Sequence, residues 1–234
     1  MVARGQRAER NFDKREILST HPLFGQLGPE AIDRLTSYAH TKTFAAGATI
    51  FARGDPGDGL FAVLAGTVRI SNRSVDGKDA VFNLNQPGEV FGEIALLDGG
   101  QRTADAQALT ECTLMLVDRR DFIPLLAARP ELAMKLIEIL CARLRHTSEQ
   151  IEDMLFLDLP ARLAKTLLWL AANTASRRIT ITQREIGQIV GMTRESANKQ
   201  LREWEERKWV RLERGKILVL DAEALAKVAE EAGT

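Results

Sequence analysis

The stretch GEIALLDGGQRTA, Gly92 to Ala104, sets a carboxylate at Glu93, a guanidinium at Arg102 and a hydroxyl at Thr103 into an otherwise apolar segment bounded by glycines. A guanidinium, joined by the convergent N–H groups of a short helix that opens after a glycine, suits a singly charged anion. A carboxylate nearby accepts from a sugar hydroxyl, and a further hydroxyl adds a donor. A cyclic phosphodiester with a free ribose 2′-OH meets all three demands: Glu93 would take the ribose hydroxyl and Arg102 the phosphate, with Thr103 assisting. Ile94, Ala95 and Leu96 are expected to turn the other face of the short helix into a sheet. From these residues alone, an internal Glu93–Arg102 ion pair at a sheet corner accounts for the composition equally well.

A second constellation lies in TITQREIGQIVGMTRESANKQLREWEERKWVRLERGKILVL. Thr182 and Glu185 have the spacing of a capping box that opens one helix, which Gly191 ends. Thr193 can cap a second helix in which Ala197, Leu201 and Trp204 share one face while Arg194, Glu195, Asn198, Lys199 and Arg202 point outward. Two short helices joined through a glycine turn make a helix-turn-helix, and WVRLERGKILVL, with Arg214-Gly215 at its centre, suits a two-stranded wing. The outward face fits base reading: a guanidinium can donate twice to guanine, a carboxylate can accept from cytosine, and a lysine supplies a further donor. A solvated helix carrying ion pairs is the plainer alternative, but cap, turn, polar face and wing agree on the first.

Charge distribution points the same way. Net charge over 234 residues is zero, yet residues 1–159 carry 18 basic against 22 acidic side chains and residues 160–220 carry 13 against 6. A net of +7 over sixty residues favours a polyanionic partner.

The elements that must position these groups change texture along the chain. Residues 16–40 alternate apolar and polar residues at helical spacing around Pro22 and a Gly28-Pro29 break, which predicts two short helices. Ten of the seventeen glycines then fall between Gly47 and Gly100. They separate the β-rich runs ATIF, LFAVLAG, TVRIS, AVFNLN and CTLMLV, with Asp76-Gly77 as a hairpin turn, so an antiparallel sandwich or small barrel is expected. After Pro130 a helical pattern runs for about 25 residues, roughly 37 Å. Ile137, Leu144 and Ile151 recur at one heptad position and Leu140, Thr147 and Met154 at the other, the seam of a coiled coil or of a helix packed on its own domain. FLDLPARLAKTLLWLAA, with Pro160 in a first helical turn, starts a second α-rich unit near Asp158.

Composition excludes several classes. No apolar run is long enough to cross a bilayer and the N-terminus lacks a signal-peptide core, so a cytoplasmic location is expected. Cys112 and Cys141 form no CxxC pair and read as small buried apolar side chains. Metal-ligand spacing, a nucleophile–base arrangement and a triphosphate loop are all missing, so no enzyme and no metal are expected.

GEVFGEIALL followed by GGQRTA resembles the phosphate-binding cassette of cyclic-nucleotide-binding domains, and EIGQIVGMTRESANK resembles the helix-turn-helix of the Crp/Fnr regulators. RLRHTSEQIEDMLFLDLPARLAKTLLWLA is similar to the same family's long helix, in which a Thr-Ser pair reaches the adenine. The resemblance covers roughly residues 17–222. It implies an α+β chain: an N-terminal arm (1–15), an antiparallel, jelly-roll-like β-roll that binds a cyclic nucleotide (16–129), a long dimerisation helix (130–157) and a C-terminal winged helix-turn-helix (158–234). It further implies that Gly92, Glu93, Ile94, Ala95, Arg102 and Thr103, with Thr147 from the same subunit and Ser148 from the other, hold cAMP as an allosteric ligand, cGMP being the alternative. Arg194, Glu195 and Lys199 would contact bases, and Thr182, Thr193, Ser196 and Lys216 phosphates, of a palindromic double-stranded DNA operator bound by a homodimer.

RNA polymerase is the further partner the resemblance implies, although AANTASRRIT is shorter than the family loop that touches it. The cassette loop is one residue shorter than in cAMP-binding members. Thr103 stands where they carry serine, as in cGMP-preferring domains, and Lys199 stands where they carry arginine, exchanging a fork for a point donor. Two other inputs stay open on the same architecture: a redox or gas signal, for which two cysteines fall short of a cluster's usual four thiolates and His21, His40 or His146 would have to hold haem, and a regulatory module for a partner protein.

Overall fold

The computed structural model describes residues 14–25, 27–73, 79–172 and 177–231. The chain divides into two compact units, one built on residues up to 70 together with 83–140, the other on 71–82 together with 141 onward.

The first unit opens with α1 (Lys14–Thr20) and α2 (Pro29–Tyr38), so the arm expected over 1–15 ends inside a helix. Pro29 sits in the first turn of α2, where its missing N–H costs nothing, and Ala31, Ile32 and Leu35 turn inward. The strands are β1 (His40–Phe44), β2 (Thr49–Phe51), β3 (Gly59–Ala65), β4 (Val68–Arg73), β5 (Asp79–Asn85) and β6 (Val90–Phe91), then α3 (Glu93–Asp98), β7 (Asp105–Ala108) and β8 (Cys112–Asp118). Asp76-Gly77, the expected hairpin turn, lies outside the described residues. Among the described residues the strands form one sheet in the order β1-β8-β3-β6 and another in the order β2-β7-β4-β5. Phe61, Val63, Phe91 and Leu114 from the first and Val68, Ala106 and Ala108 from the second meet in one core, which makes the pair a sandwich of the β-roll kind.

Strand β3 is buried on both faces. Phe61 and Val63 face that sandwich core, whereas Leu60 and Ala62 join a second core with Leu23, Phe24, Leu35, Phe122, Leu132 and Leu136. The helices of this second core include α4 (Arg119–Ala128) and the start of α5 (Pro130–Phe156). Leu140, read from the sequence as a seam residue, is half-buried against this core, because it follows Leu132 and Leu136 on one helical face. Ile137, Leu144, Ile151 and Met154 stay exposed.

The second unit holds the rest of α5, α6 (Leu159–Ala172), β9 (Arg178–Ile179), α7 (Gln183–Val190), α8 (Arg194–Glu206), β10 (Val210–Glu213), β11 (Lys216–Val219) and α9 (Ala222–Glu231). The wing has a third strand beyond the hairpin expected from the sequence, in the order β10-β11-β9. Leu163, Leu167, Ile186, Ala197, Leu201, Trp204, Ile217 and Leu225 form its buried interior. Part of the segment AANTASRRIT, residues 173–176, lies outside the described residues.

Candidate nucleotide cradle and nucleic-acid interface

The cradle begins where β6 hands the chain to α3. Gly92 caps α3 in the left-handed region, at φ 81°, which a side-chain-bearing residue adopts at a cost. A Cβ there would also stand 2.5 Å from Nη1 of Arg102. Opposite, the loop of residues 52–58 clamps the chain around Arg102: the Gly54 N–H donates to the Arg102 carbonyl at 2.9 Å and the Arg102 N–H to the Asp55 carbonyl at 2.8 Å. Gly57 permits that approach, since a Cβ on it would collide with the Cβ of Ala95.

Glu93 is 4% exposed and Arg102 6% exposed, a pair of buried charges on one short loop-helix-loop. Arg102 donates from Nη1 to the Gly92 carbonyl at 2.8 Å and from Nη2 to the Gly59 carbonyl at 2.9 Å. Its Nε is buried with no hydrogen-bond partner among the described residues. Burial lowers the Arg102 pKa, and the nearby charges of Asp58, Glu93 and Asp55 oppose that shift. The guanidinium therefore stays charged in a site that has removed much of its water. The buried Nε–H lacks an acceptor, in a cradle whose first helical turn supplies further N–H groups.

Among the expected residues, Gly92, Glu93, Ala95 and Arg102 are brought together here, and Thr103 is exposed immediately beyond Arg102. Ile94 corrects the reading of α3. Ala95 and Leu96 are buried, but Ile94 is 48% exposed, because six residues of helix present one inward stripe and position 94 lies off it. Thr147 and Ser148 are exposed on the portion of α5 that belongs to the second unit. Their hydroxyls donate back to the Arg143 carbonyl at 2.9 Å and the Leu144 carbonyl at 3.0 Å, which leaves their oxygens as acceptors. Sequence reasoning passed over Phe51, Phe61 and Phe91. They come from three strands, and only the fold brings Phe51 and Phe61 to Arg102 with Phe91 stacked behind; no local spacing announces them.

In the second unit the caps form as their residues dictate. The Thr182 N–H donates to Glu185 Oε2 at 2.7 Å while Thr182 Oγ1 accepts from the Glu185 N–H at 3.2 Å, completing the capping box. Gly191 ends α7 at φ 77°. Thr193 Oγ1 accepts from the Ser196 N–H at 3.1 Å and donates to Ser196 Oγ at 3.0 Å. Gly187 was missed from sequence; a Cβ on it would meet the Met192 carbonyl at 3.1 Å and Ala197 Cβ at 3.5 Å, so its bareness sets how closely α7 and α8 cross. Ala197, Leu201 and Trp204 are buried, and Arg194, Glu195, Ser196, Lys199 and Arg202 are exposed along the opposite face. Asn198 departs from expectation: it is half-buried at the edge of that face, and its Oδ1 is buried with no hydrogen-bond partner among the described residues. Lys216, half-buried, begins β11 on the wing.

The histidines are placed apart. His21 is buried, with Nδ1 accepting from the Leu23 N–H at 3.1 Å, and burial lowers its pKa to about 4. His40 is exposed on β1. His146 stacks on Trp169 at 4.5 Å, and burial lowers its pKa, with Glu149 and Asp153 opposing and Lys165 assisting. Among the described residues no group of His, Cys, Asp or Glu is arranged to hold a metal ion, and no helix is long and apolar enough to cross a membrane.

A β-roll with a buried anion cradle, followed in the same chain by a winged helix-turn-helix, defines a DNA-binding regulator with a small-molecule sensor. Residues 41–129 match the family model described as the cyclic nucleotide-binding domain, and residues 161–228 match the Crp-like helix-turn-helix domain. The chain belongs to the CRP family of transcriptional regulators. It is 38% identical over 221 residues to a CRP-like cAMP-activated global transcriptional regulator of Mycobacterium tuberculosis, covering 92% of this chain and 99% of that one. It is 33% identical over 208 residues to the cyclic AMP receptor protein of Thermus thermophilus, covering 89% and 96%. Among solved structures, a CRP/FNR-family transcriptional regulator of Thermus thermophilus matches with a TM-score of 0.66 at 30% identity, over 82% of this chain and 98% of that one.

Proposed function

We propose that this regulator is switched by cAMP and binds pseudo-palindromic DNA as a homodimer. The observation that carries the reading is Arg102: a buried guanidinium with two donors committed and Nε lacking an acceptor, beside a buried Glu93. A cyclic phosphodiester supplies the acceptor and one negative charge, and its ribose 2′-OH supplies a donor for the Glu93 carboxylate. Gly92, Ile94 and Ala95 contribute backbone to the cradle, and Thr103 a hydroxyl.

Thr147 and Ser148 are assigned to the nucleotide base by resemblance to the family's long helix. The hydroxyl oxygen of Thr147 keeps acceptor capacity for the amino group at position 6 of adenine, the base of cAMP. Names of relatives in Mycobacterium and Thermus agree. Support for pairing comes from the apolar stripe Ile137, Leu144, Ile151 and Met154, exposed at heptad spacing on a 27-residue helix.

The ligand biases the dimer toward the arrangement in which two copies of α8 meet successive major grooves, about 34–36 Å apart. Arg194, Glu195 and Lys199 then read base edges, and Thr182, Thr193, Ser196 and Lys216 fix register on phosphates. RNA polymerase is the partner through which the bound regulator acts.

Titration calorimetry of the full chain with cAMP and cGMP, joined to fluorescence anisotropy on operator DNA, tests this. Arg102→Leu is expected to weaken cAMP by about 100-fold or more, since an interaction with a buried charge is lost, and to abolish cAMP-dependent DNA binding. A variant that still bound operator only when cAMP was added would overturn the assignment of Arg102.

A further inference from the structure

The Arg102 guanidinium carbon stands 4.3 Å from the ring centroid of Phe51 and 5.7 Å from that of Phe61. Phe51 in turn lies 5.8 Å from Phe61 and 5.9 Å from Phe91, and Phe61 and Phe91 stack at 5.1 Å with 12° between their planes. The cation thus sits on an aromatic floor while its two terminal nitrogens are tied to the carbonyls of Gly92 and Gly59. Strand β2 supplies the nearest ring and β3 and β6 the other two, so the floor is part of the sandwich core and not of the cradle loop.

We infer that Phe51 is a positioning residue for nucleotide binding, holding the Arg102 guanidinium by its ring face before the ligand arrives. This rests on the reading that Arg102 takes the phosphate. A free arginine side chain samples many rotamers, and ordering it on binding would subtract from affinity. Two carbonyls fix the edge of the guanidinium, but its plane can still tilt about that edge. A ring against the plane removes the tilt, and the attraction between a cation and the negative face of the ring is strongest where water is excluded, as here. Leucine at position 51 would fill comparable volume yet offer no such face. The Nε–H of the guanidinium and the backbone N–H groups of the cradle would then meet the phosphate less well aligned, even with Arg102 itself intact.

The test uses the full chain in two measurements. In cAMP titration calorimetry, Phe51→Leu is expected to bind about tenfold more weakly than wild type, and Phe51→Tyr, which keeps the ring face, within about threefold of it. In thermal unfolding without ligand, the drop in Tm caused by Phe51→Leu is expected to shrink by about half or more when Arg102→Leu is already present, because the ring acts through the guanidinium. A Phe51→Leu protein that binds cAMP like wild type, a Phe51→Tyr protein as weak as Phe51→Leu, or a Tm drop indifferent to Arg102→Leu would each overturn the inference. Unchanged cAMP affinity in Arg102→Leu alone would instead overturn the functional reading beneath it, while the ligand-free unfolding cycle would still report the contact between ring and guanidinium.

Discussion

Arg102 and Arg194 carry the same side chain into opposite surroundings. The first is buried against rings and carbonyls in the β-roll, its pKa lowered by burial; the second stands exposed in the opening turn of α8. A guanidinium stripped of water interacts strongly over a short distance and tolerates little misplacement. One in solvent interacts more weakly at any distance, adapts its geometry and is screened by salt. The first unit thus holds one fixed, buried guanidinium, whereas the second spreads exposed Arg194, Lys199 and Arg202 along α8 and half-buried Lys216 on the wing.

Salt should separate the two most widely. Between about 50 and about 200 mM salt, operator affinity of the cAMP-bound protein is expected to fall by about 1000-fold, and cAMP affinity by less than about tenfold. Equal salt dependence in anisotropy and calorimetry would break the contrast.

A buried neutral imidazole in the first unit predicts a pH effect of its own. His21 has a pKa of about 4 against 6.5 when unperturbed, so as pH falls protons bind the unfolded chain first. Stability from this group is complete above pH 6.5 and declines until pH about 4, by about 3 kcal/mol in all. Urea unfolding at stepped pH should show that decline in wild type, with a shallower one in His21→Asn, which keeps an acceptor for the Leu23 N–H. Matching slopes would show that His21 is protonated at no cost.

On the reading face, Arg194→Ala should weaken operator binding by about 1–3 kcal/mol and relax preference at one base pair. Selection from a random DNA pool checks it, and uniform weakening at every position would reassign Arg194 to a phosphate. Smallest is the cap: Thr193→Ala removes the acceptor for the Ser196 N–H and should cost about 1 kcal/mol of stability, read as a lower Tm without DNA.

Much of the reading unit was legible because its determinants are local. Thr182 with Glu185, Gly191, and Thr193 before a polar-faced helix lie within a few residues of the groups they satisfy. The proximity of Gly92, Glu93 and Arg102 was legible for the same reason, since all three lie within ten positions along the chain. Short strands were harder: β1, β6 and β7 have 5, 2 and 4 residues, too few to display a period. Helix α4 was hidden by its internal Pro124, and β9, two residues long, takes its place by pairing with the distant β11. The aromatic floor could not be read at all, since residues 51, 61 and 91 are neighbours only once the sheets pack. Ile94 and Asn198 were misjudged where a helical face has an edge, and burial there depends on what packs alongside.

Leu136 is buried in the core of the first unit and Leu140 leans on it, while Ile137, between them on α5, faces outward. An α-helix does not let one residue rotate without its neighbours, so the seating of those leucines sets the direction in which Ile137 faces. Interior substitutions that reseat Leu136 would therefore turn that exposed apolar side chain without touching it.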